Sequence, residues 1–341
     1  MWVYVGTYEP GDREALFVLR LDPSTGRLTL EGAASGVGHP SFLVPHPDGK
    51  RLYGVSERPD GAGEVVVWDR DPATGRLALR SRHPAGSGPC HLALDPLGRC
   101  LLVAHYAGGT VAAYDLAPDG EPAGAPRVLR HEGRGPHPRQ EAAHPHGVHP
   151  DPEGRFVYVP DLGLDEVRVY RLPSLEPVAA ARTRPASGPR HLALHPSRPL
   201  AYLVGELDAT VTAYRRDPAT GALVALGTAS AAAAGADGAR TGAEVAVHPA
   251  GHAVYASVRG DDHLAVFAVR PDGTLEPRPH VPAGGRTPRH FALDPTGRWL
   301  LVAHQGSGTV ACFRVDPATG DLEPTGQRIA VPHPVCVAFA P

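Results

Sequence analysis

The stretch Pro189-Arg-His-Leu-Ala-Leu-His-Pro196 returns nearly unchanged as Pro288-Arg-His-Phe-Ala-Leu-Asp-Pro295, and Pro89-Cys-His-Leu-Ala-Leu-Asp-Pro96 is a third version of it. Looser copies are His39-Pro-Ser-Phe-Leu-Val-Pro-His-Pro47, His146-Gly-Val-His-Pro-Asp-Pro152, Ala243-Glu-Val-Ala-Val-His-Pro249 and Pro334-Val-Cys-Val-Ala-Phe-Ala-Pro341, which makes seven. Between their last prolines the steps are 49, 56, 44, 53, 46 and 46 residues. A near-constant period of that size marks a repeat architecture. Each copy alternates with period two, then passes through an Asp/His-Pro-x-Gly-Arg type of turn into an apolar strand such as Arg99-Cys-Leu-Leu-Val-Ala104. Helical repeats of similar length need apolar residues at helical spacing instead, so the repeating unit is a small sheet.

A second marker lies outside the first. Asp22-Pro-Ser-Thr-Gly-Arg-Leu28, Asp71-Pro-Ala-Thr-Gly-Arg-Leu77, Asp217-Pro-Ala-Thr-Gly-Ala-Leu223 and Asp316-Pro-Ala-Thr-Gly-Asp-Leu322 read as hairpins between outer strands, because proline and glycine preset the turn dihedrals. The seventh copy ends at Pro341 before its apolar strand has appeared, and Trp2-Val-Tyr-Val5 matches that missing strand. The expected fold is therefore all-β: a seven-bladed β-propeller, one domain over residues 1–341, with the last blade closed by the N-terminal strand. Closure removes a sheet edge that would otherwise template aggregation. Two stretches leave the repeat, Leu116 to Ala143 and the alanine-rich Thr228 to Thr241, and are expected as rim loops that shape a site.

Composition narrows the function. Forty glycines and 38 prolines fit many tight turns, and 42% apolar residues are enough for a packed core. A formal charge of -3 supplies no basic field for a phosphate backbone, so no nucleic-acid partner is expected. Lys50 is the only lysine, which leaves guanidinium forks to carry the positive charge and argues against Schiff-base chemistry. The four cysteines are widely spaced without a CxxC pair and read as buried thiols in a reducing compartment. The opening Met-Trp-Val-Tyr-Val-Gly-Thr-Tyr has neither a basic leader nor a spanning apolar run, so a cytoplasmic protein with no membrane partner is expected, a monomer or weak homo-oligomer.

In a propeller the inner strands line a central channel, so residues flanking each copy converge on its mouths. Six residues before each marker proline stand Ser41, Cys90, His146, Arg190, Ala243, Arg289 and Val335. Nine or ten after it stand Glu57, His105, Asp161, Glu206, Arg259 and His304. Arginines with a carboxylate and an imidazole suit a small anionic substrate whose reaction places negative charge on oxygen. His144-Pro-His146-Gly-Val-His149 lacks a complementary ligand set, so neither a metal nor any other cofactor is expected. Gly-x-Ser-x-Gly, a Gly-rich phosphate loop and His-Glu-x-x-His are all missing from the sequence, against serine-hydrolase, nucleotide and zincin chemistry. Trp68-Asp69 occurs once, without a Gly-His partner, and reads as packing.

Gly6-Thr-Tyr8, His131-Glu-Gly-Arg-Gly-Pro-His-Pro-Arg-Gln140, His144 to Pro152 running on to Pro160-Asp-Leu-Gly163, Gly188-Pro-Arg-His191 and Arg259-Gly260 together resemble the lactonase family of seven-bladed propellers over the full length. That family includes bacterial 6-phosphogluconolactonases and fungal carboxy-cis,cis-muconate cyclases. The resemblance implies catalytic roles for His146, Arg190, Glu206 and Arg259. Val258 stands where the family often has asparagine before the arginine. Substrate-binding roles are expected for Arg139, His144, Asp161, His191, Glu244 and Arg289.

Two reactions follow from the resemblance. In lactone hydrolysis, Arg190 and Arg259 hold the developing oxyanion while His146 or Glu206 takes a proton from water; the family points to 6-phosphogluconolactone, its phosphate on Arg289, Arg139 and nearby histidines. In cycloisomerisation, the arginines bind carboxylates of a diene acid instead. A noncatalytic binding platform is the third reading, and it predicts aromatic rim patches that a 6% aromatic content does not favour. For the enzyme readings, alanine at Arg190, Glu206 or Arg259 is expected to abolish turnover at unchanged melting temperature.

Overall fold

A computed structural model describes residues 1–58, 60–233 and 239–340. It holds seven antiparallel sheets, which agrees with the sequence count. Their inner strands are Pro40–Pro45, Pro89–Leu94, His149–Pro150, Pro189–Leu194, Thr241–Val247, Pro288–Leu293 and Pro334–Ala340, here blades one to seven. Each inner strand packs against the next and the seventh against the first, which closes the ring.

Blade seven joins the two chain ends. Its inner strand comes from the C-terminus and pairs with Trp2–Thr7, Trp2 facing Ala340 and Val5 facing Val337; Leu16–Leu21 and Leu28–Ala34 complete the sheet. Ladder hydrogen bonds thus substitute for a covalent ring closure.

The turn chemistry read from the sequence is visible atom by atom. Asp22 Oδ1 accepts the Ser24 N–H at 2.8 Å and Thr25 Oγ1 donates to Oδ2, while Gly26 adopts φ +72°. A side chain at Gly26 would also strike the Trp299 ring of blade six, so the glycine serves both the turn and the blade packing. In the other turn family, Asp95 Oδ1 accepts the N–H groups of Arg99 and Cys100. Where histidine replaces that aspartate, it ties one blade to the next: His195 Nδ1 accepts from Arg198 N, and its Nε2 lies 3.0 Å from Gly251 O.

The core lies between blades. Val5, Phe17 and Leu19 of blade seven, for example, pack on Trp299, Leu301 and Cys312 of blade six. Burial of each such large side chain contributes roughly 1.5–3 kcal/mol. Trp68 is one of these packed residues. The four cysteines are buried and unpaired. Among the described residues the exposed large apolar side chains are Leu30, Leu79, Leu97, Val128 and Val224, none of them aromatic.

The two irregular stretches behave differently. Leu116 to Ala143 contains the outer strand Pro122–Arg130, then a strap with the short 3-10 helix Pro138–Gln140. Of Thr228 to Thr241, residues 234–238 lie outside the described residues.

Candidate active site

Two positions per blade build one mouth of the channel. The first is the extra residue of a bulge in the inner strand. Pairing jumps from Pro40 to Phe42, Pro89 to His91, Pro189 to His191 and Pro288 to His290, leaving Ser41, Cys90, Arg190 and Arg289 unpaired. Blade five skips two residues, Ala243 and Glu244. A bulge interrupts the in-and-out alternation and re-aims a side chain; here it brings Arg190 Nη1 to 3.3 Å from His191 Nδ1.

The second position follows the residue that faces the start of each bulge. Pro189 faces Gly205, so Glu206 comes next; the same register selects Tyr8, Glu57, Tyr106, Arg259 and Gln305. The spacing from the marker prolines also selected His105, Asp161 and His304, each one residue too early. A one-residue slip turns a strand side chain to the opposite face. His105 accordingly meets Thr110 within its own blade, His304 Nε2 meets Ala283 O, and both are buried. Asp161, expected to bind substrate, is fully buried. Its Oδ2 lies 2.7 Å from His131 Nδ1, and its Oδ1 accepts the N–H groups of His144 and Gly163. It pins the strap and offers nothing to a ligand.

Glu206 is the hub. Its Oε1 lies 2.7 Å from Arg139 Nη1, and its Oε2 lies 3.0 Å from Arg190 Nε, 3.2 Å from Arg259 Nη2 and 3.8 Å from His146 Nε2. The Arg190 contact is an ion pair whose Nε–H is not aligned for a hydrogen bond. Burial raises the carboxyl pKa, but the Arg259 and Arg190 guanidiniums, then Arg139, outweigh it and hold Glu206 well below the usual range. Arg190 also donates through Nη1 to Ala243 O, and Arg259 Nη2 donates to Gly242 O at 3.0 Å. Burial lowers Arg259 to about 10 despite the pull of Glu206. Its Nε–H is buried with no partner among the described residues, a spare donor beside the carboxylate.

His146 is neutral. Burial, then the positive field of Arg190, pushes its imidazole well below the ordinary value, and Glu206 opposes this only in part. Cys90 Sγ lies 4.0 Å from His146 Nδ1, but burial lifts the thiol to about 12, so it is no nucleophile at neutral pH.

The strap delivers Arg139. His137 Nδ1 caps the 3-10 helix by accepting the Arg139 N–H, and Gln140 Nε2 donates to Leu162 O. His131 is held between Asp161 and the Tyr170 hydroxyl. His144 stacks on Tyr106 at 4.3 Å with its nitrogens on Tyr106 O and Glu141, which makes it a support for the mouth.

One residue further along the inner strands lies a second ring with Phe42, His91, His191, Glu244 and His290. Glu244 Oε2 receives His191 Nδ1 at 2.9 Å and His290 Nε2 at 3.3 Å. His191 and Glu244 thus floor the site beside Arg190 rather than stand at the mouth. Arg289 is at the mouth, donating to the Tyr8 hydroxyl at 2.8 Å with its guanidinium 5.2 Å from the Tyr8 ring. Tyr8, Tyr106 and Gln305 were missed in the spacing argument. Tyr8 was detectable: it follows the N-terminal strand matched to the seventh copy, but the count stopped at Pro341.

The arrangement offers surplus guanidinium charge, one clamped carboxylate and one neutral base. Among the described residues no cluster of histidine, cysteine or carboxylates is placed to hold a metal.

A family model described as lactonase, 7-bladed beta-propeller, matches residues 2–339. A 6-phosphogluconolactonase of Bacillus subtilis is 32% identical over 340 residues, 98% of this chain and 97% of the relative. Another from Pectobacterium carotovorum is 32% identical over 319 residues, 92% of each. Among solved structures, a periplasmic gluconolactonase of Pseudomonas aeruginosa superposes with a TM-score of 0.93 at 33% identity, covering 100% of this chain and 99% of that one.

Proposed function

The chain belongs to the lactonase family of seven-bladed β-propellers, and we propose that it opens a sugar lactone by hydrolysis, with 6-phosphogluconolactone as the leading substrate. The relatives' names support the reaction class. The observation that carries the reading is the clamp of Arg139, Arg190 and Arg259 on Glu206 beside a neutral His146.

The residues divide the work by their charge states. Glu206 commits both carboxylate oxygens to Arg139, Arg190 and Arg259, so it holds the guanidiniums in place. His146 takes the proton of the attacking water as the water oxygen bonds the carbonyl carbon. Arg190 and Arg259, including the spare Arg259 Nε–H, receive the carbonyl oxygen as it gains charge. Collapse of the tetrahedral intermediate breaks the ring C–O bond, and the leaving alkoxide takes the proton from His146. The product is the open hydroxy acid. Arg139, on the outward strap, supports a place for a phosphate on the leaving-oxygen side.

Acid release from 6-phosphogluconolactone, followed by a pH indicator above the spontaneous rate, tests the reading. Enzyme-dependent release is expected; no release, together with closure of a carboxylated diene acid, would replace it with cycloisomerisation. The buried free thiols support a reducing compartment, although the Pseudomonas relative is named periplasmic.

A further inference from the structure

The two halves of the mouth differ in what they leave unspent. Around Glu206 the charges are satisfied mainly by each other. Across the channel, blades six, seven and one contribute Arg289, Gln305, Tyr8, Ser41 and Glu57. Glu57 Oε2 accepts the Tyr8 hydroxyl at 2.8 Å, and Tyr8 in turn accepts from Arg289 Nη2. Among the described residues, Glu57 Oε1, the Gln305 amide and the other Arg289 N–H groups bond nothing. Ser41 holds the bulge position that Arg190 holds in blade four; it is 5% exposed, and its hydroxyl is buried without a partner. A buried hydroxyl left unpaired is destabilising, so this half is built to be completed by a ligand.

The chemistry of the unspent groups identifies that ligand. They are one carboxylate acceptor, one amide that donates and accepts, one hydroxyl and guanidinium donors whose charge Glu57 offsets through Tyr8. Such a set matches vicinal hydroxyls, each of which donates and accepts. It does not match a phosphate or a second carboxylate, which Glu57 would repel. A sugar lactone carries its hydroxyls on the ring edge away from the leaving oxygen. A lactone placed with its carbonyl on Arg190 and Arg259 and the substituent beside its leaving oxygen towards Arg139 would present that edge to Glu57.

We propose that Glu57, Gln305, Arg289 and Ser41 form a hydroxyl-recognition subsite that restricts this mouth to polyhydroxylated lactones. The proposal rests on the lactonase reading and names its specificity device. Its test compares kcat/KM for glucono-1,5-lactone and for δ-valerolactone, which has the same ring without hydroxyls, in the wild type, Glu57→Ala, the near-isosteric Glu57→Gln and Gln305→Ala. The wild type should prefer the hydroxylated ring by about 100-fold or more, as sites built to hydrogen-bond a substrate hydroxyl reject its absence. Glu57→Ala should cut that preference about 10- to 100-fold, with smaller cuts for Glu57→Gln and Gln305→Ala. Far-ultraviolet spectra and melting curves identify a variant that fails to fold, in which case Glu57→Gln and Gln305→Ala decide. A wild type without preference, or folded variants that lose turnover on both lactones in equal proportion, would overturn the subsite alone. A wild type that hydrolyses neither lactone nor 6-phosphogluconolactone would overturn the lactonase reading and the subsite with it.

Discussion

Glu206 concentrates the argument at the scale of single residues. Its carboxylate compensates guanidiniums from the strap and from blades four and five, all but Arg139 nearly shut off from water. Removing one partner of a buried ion network leaves the rest uncompensated, typically at a cost of about 3–5 kcal/mol. Glu206→Ala should therefore lower the melting temperature by many degrees, whereas Arg259→Ala, which leaves Glu206 paired with Arg139 and Arg190, should lower it much less. Calorimetric scans of the two variants measure this; equal, unshifted transitions would show that the clamp carries no stability. The sequence alone suggested that alanine at Glu206 spares stability, because residue spacing cannot reveal that three cations share one anion.

At the scale of elements, the hairpins and turns were legible because their chemistry is local. Asp-Pro-x-Thr-Gly fixes its own hydrogen bonds and a positive φ within a few residues, and the apolar strand after each marker proline announces itself by composition. The bulge was not legible. It shifts pairing by one residue between Pro189 and His191, and nothing in a single sequence marks that shift. At the second mouth position His105, Asp161 and His304 stood in for Tyr106, Leu162 and Gln305, Leu162 being the residue after Asp161, which bridges to Pro145. Glu57, Glu206 and Arg259 stand ten residues after their marker prolines, the offset that Tyr106, Leu162 and Gln305 share, whereas His105, Asp161 and His304 stand nine after theirs. Asp161 became a fastening for the strap, with its partner His131 on the strap itself.

At the scale of the whole molecule, the channel is lined by histidines that burial keeps neutral. His91, His146 and His191 lie well below the ordinary imidazole value, and burial brings His149 to about 4. In the unfolded chain these groups take up protons near pH 6.5, while the folded ones stay bare. Between pH 6.5 and about 4 the unfolded state thus binds more protons, and stability falls as pH falls, by up to about 1.4 kcal/mol per pH unit for each histidine. Melting temperature should drop steeply from pH 7 to pH 5, before Glu206 enters its own, more acidic window. A melting temperature independent of pH over that range would mean that the ring titrates freely in the fold. The propeller explains why such a ring exists at all: residues from 91 to 290 meet only because sheets are repeated around an axis.

Where a bound sugar acid sits decides whether Glu206 and its guanidiniums mark the reaction site. A crystal structure with 6-phosphogluconate should show its new carboxylate within hydrogen-bond distance of Arg190 and Arg259, close to His146, with hydroxyls turned towards Glu57. Density for the acid at the opposite mouth, or on the rim away from Glu206, would contradict the account.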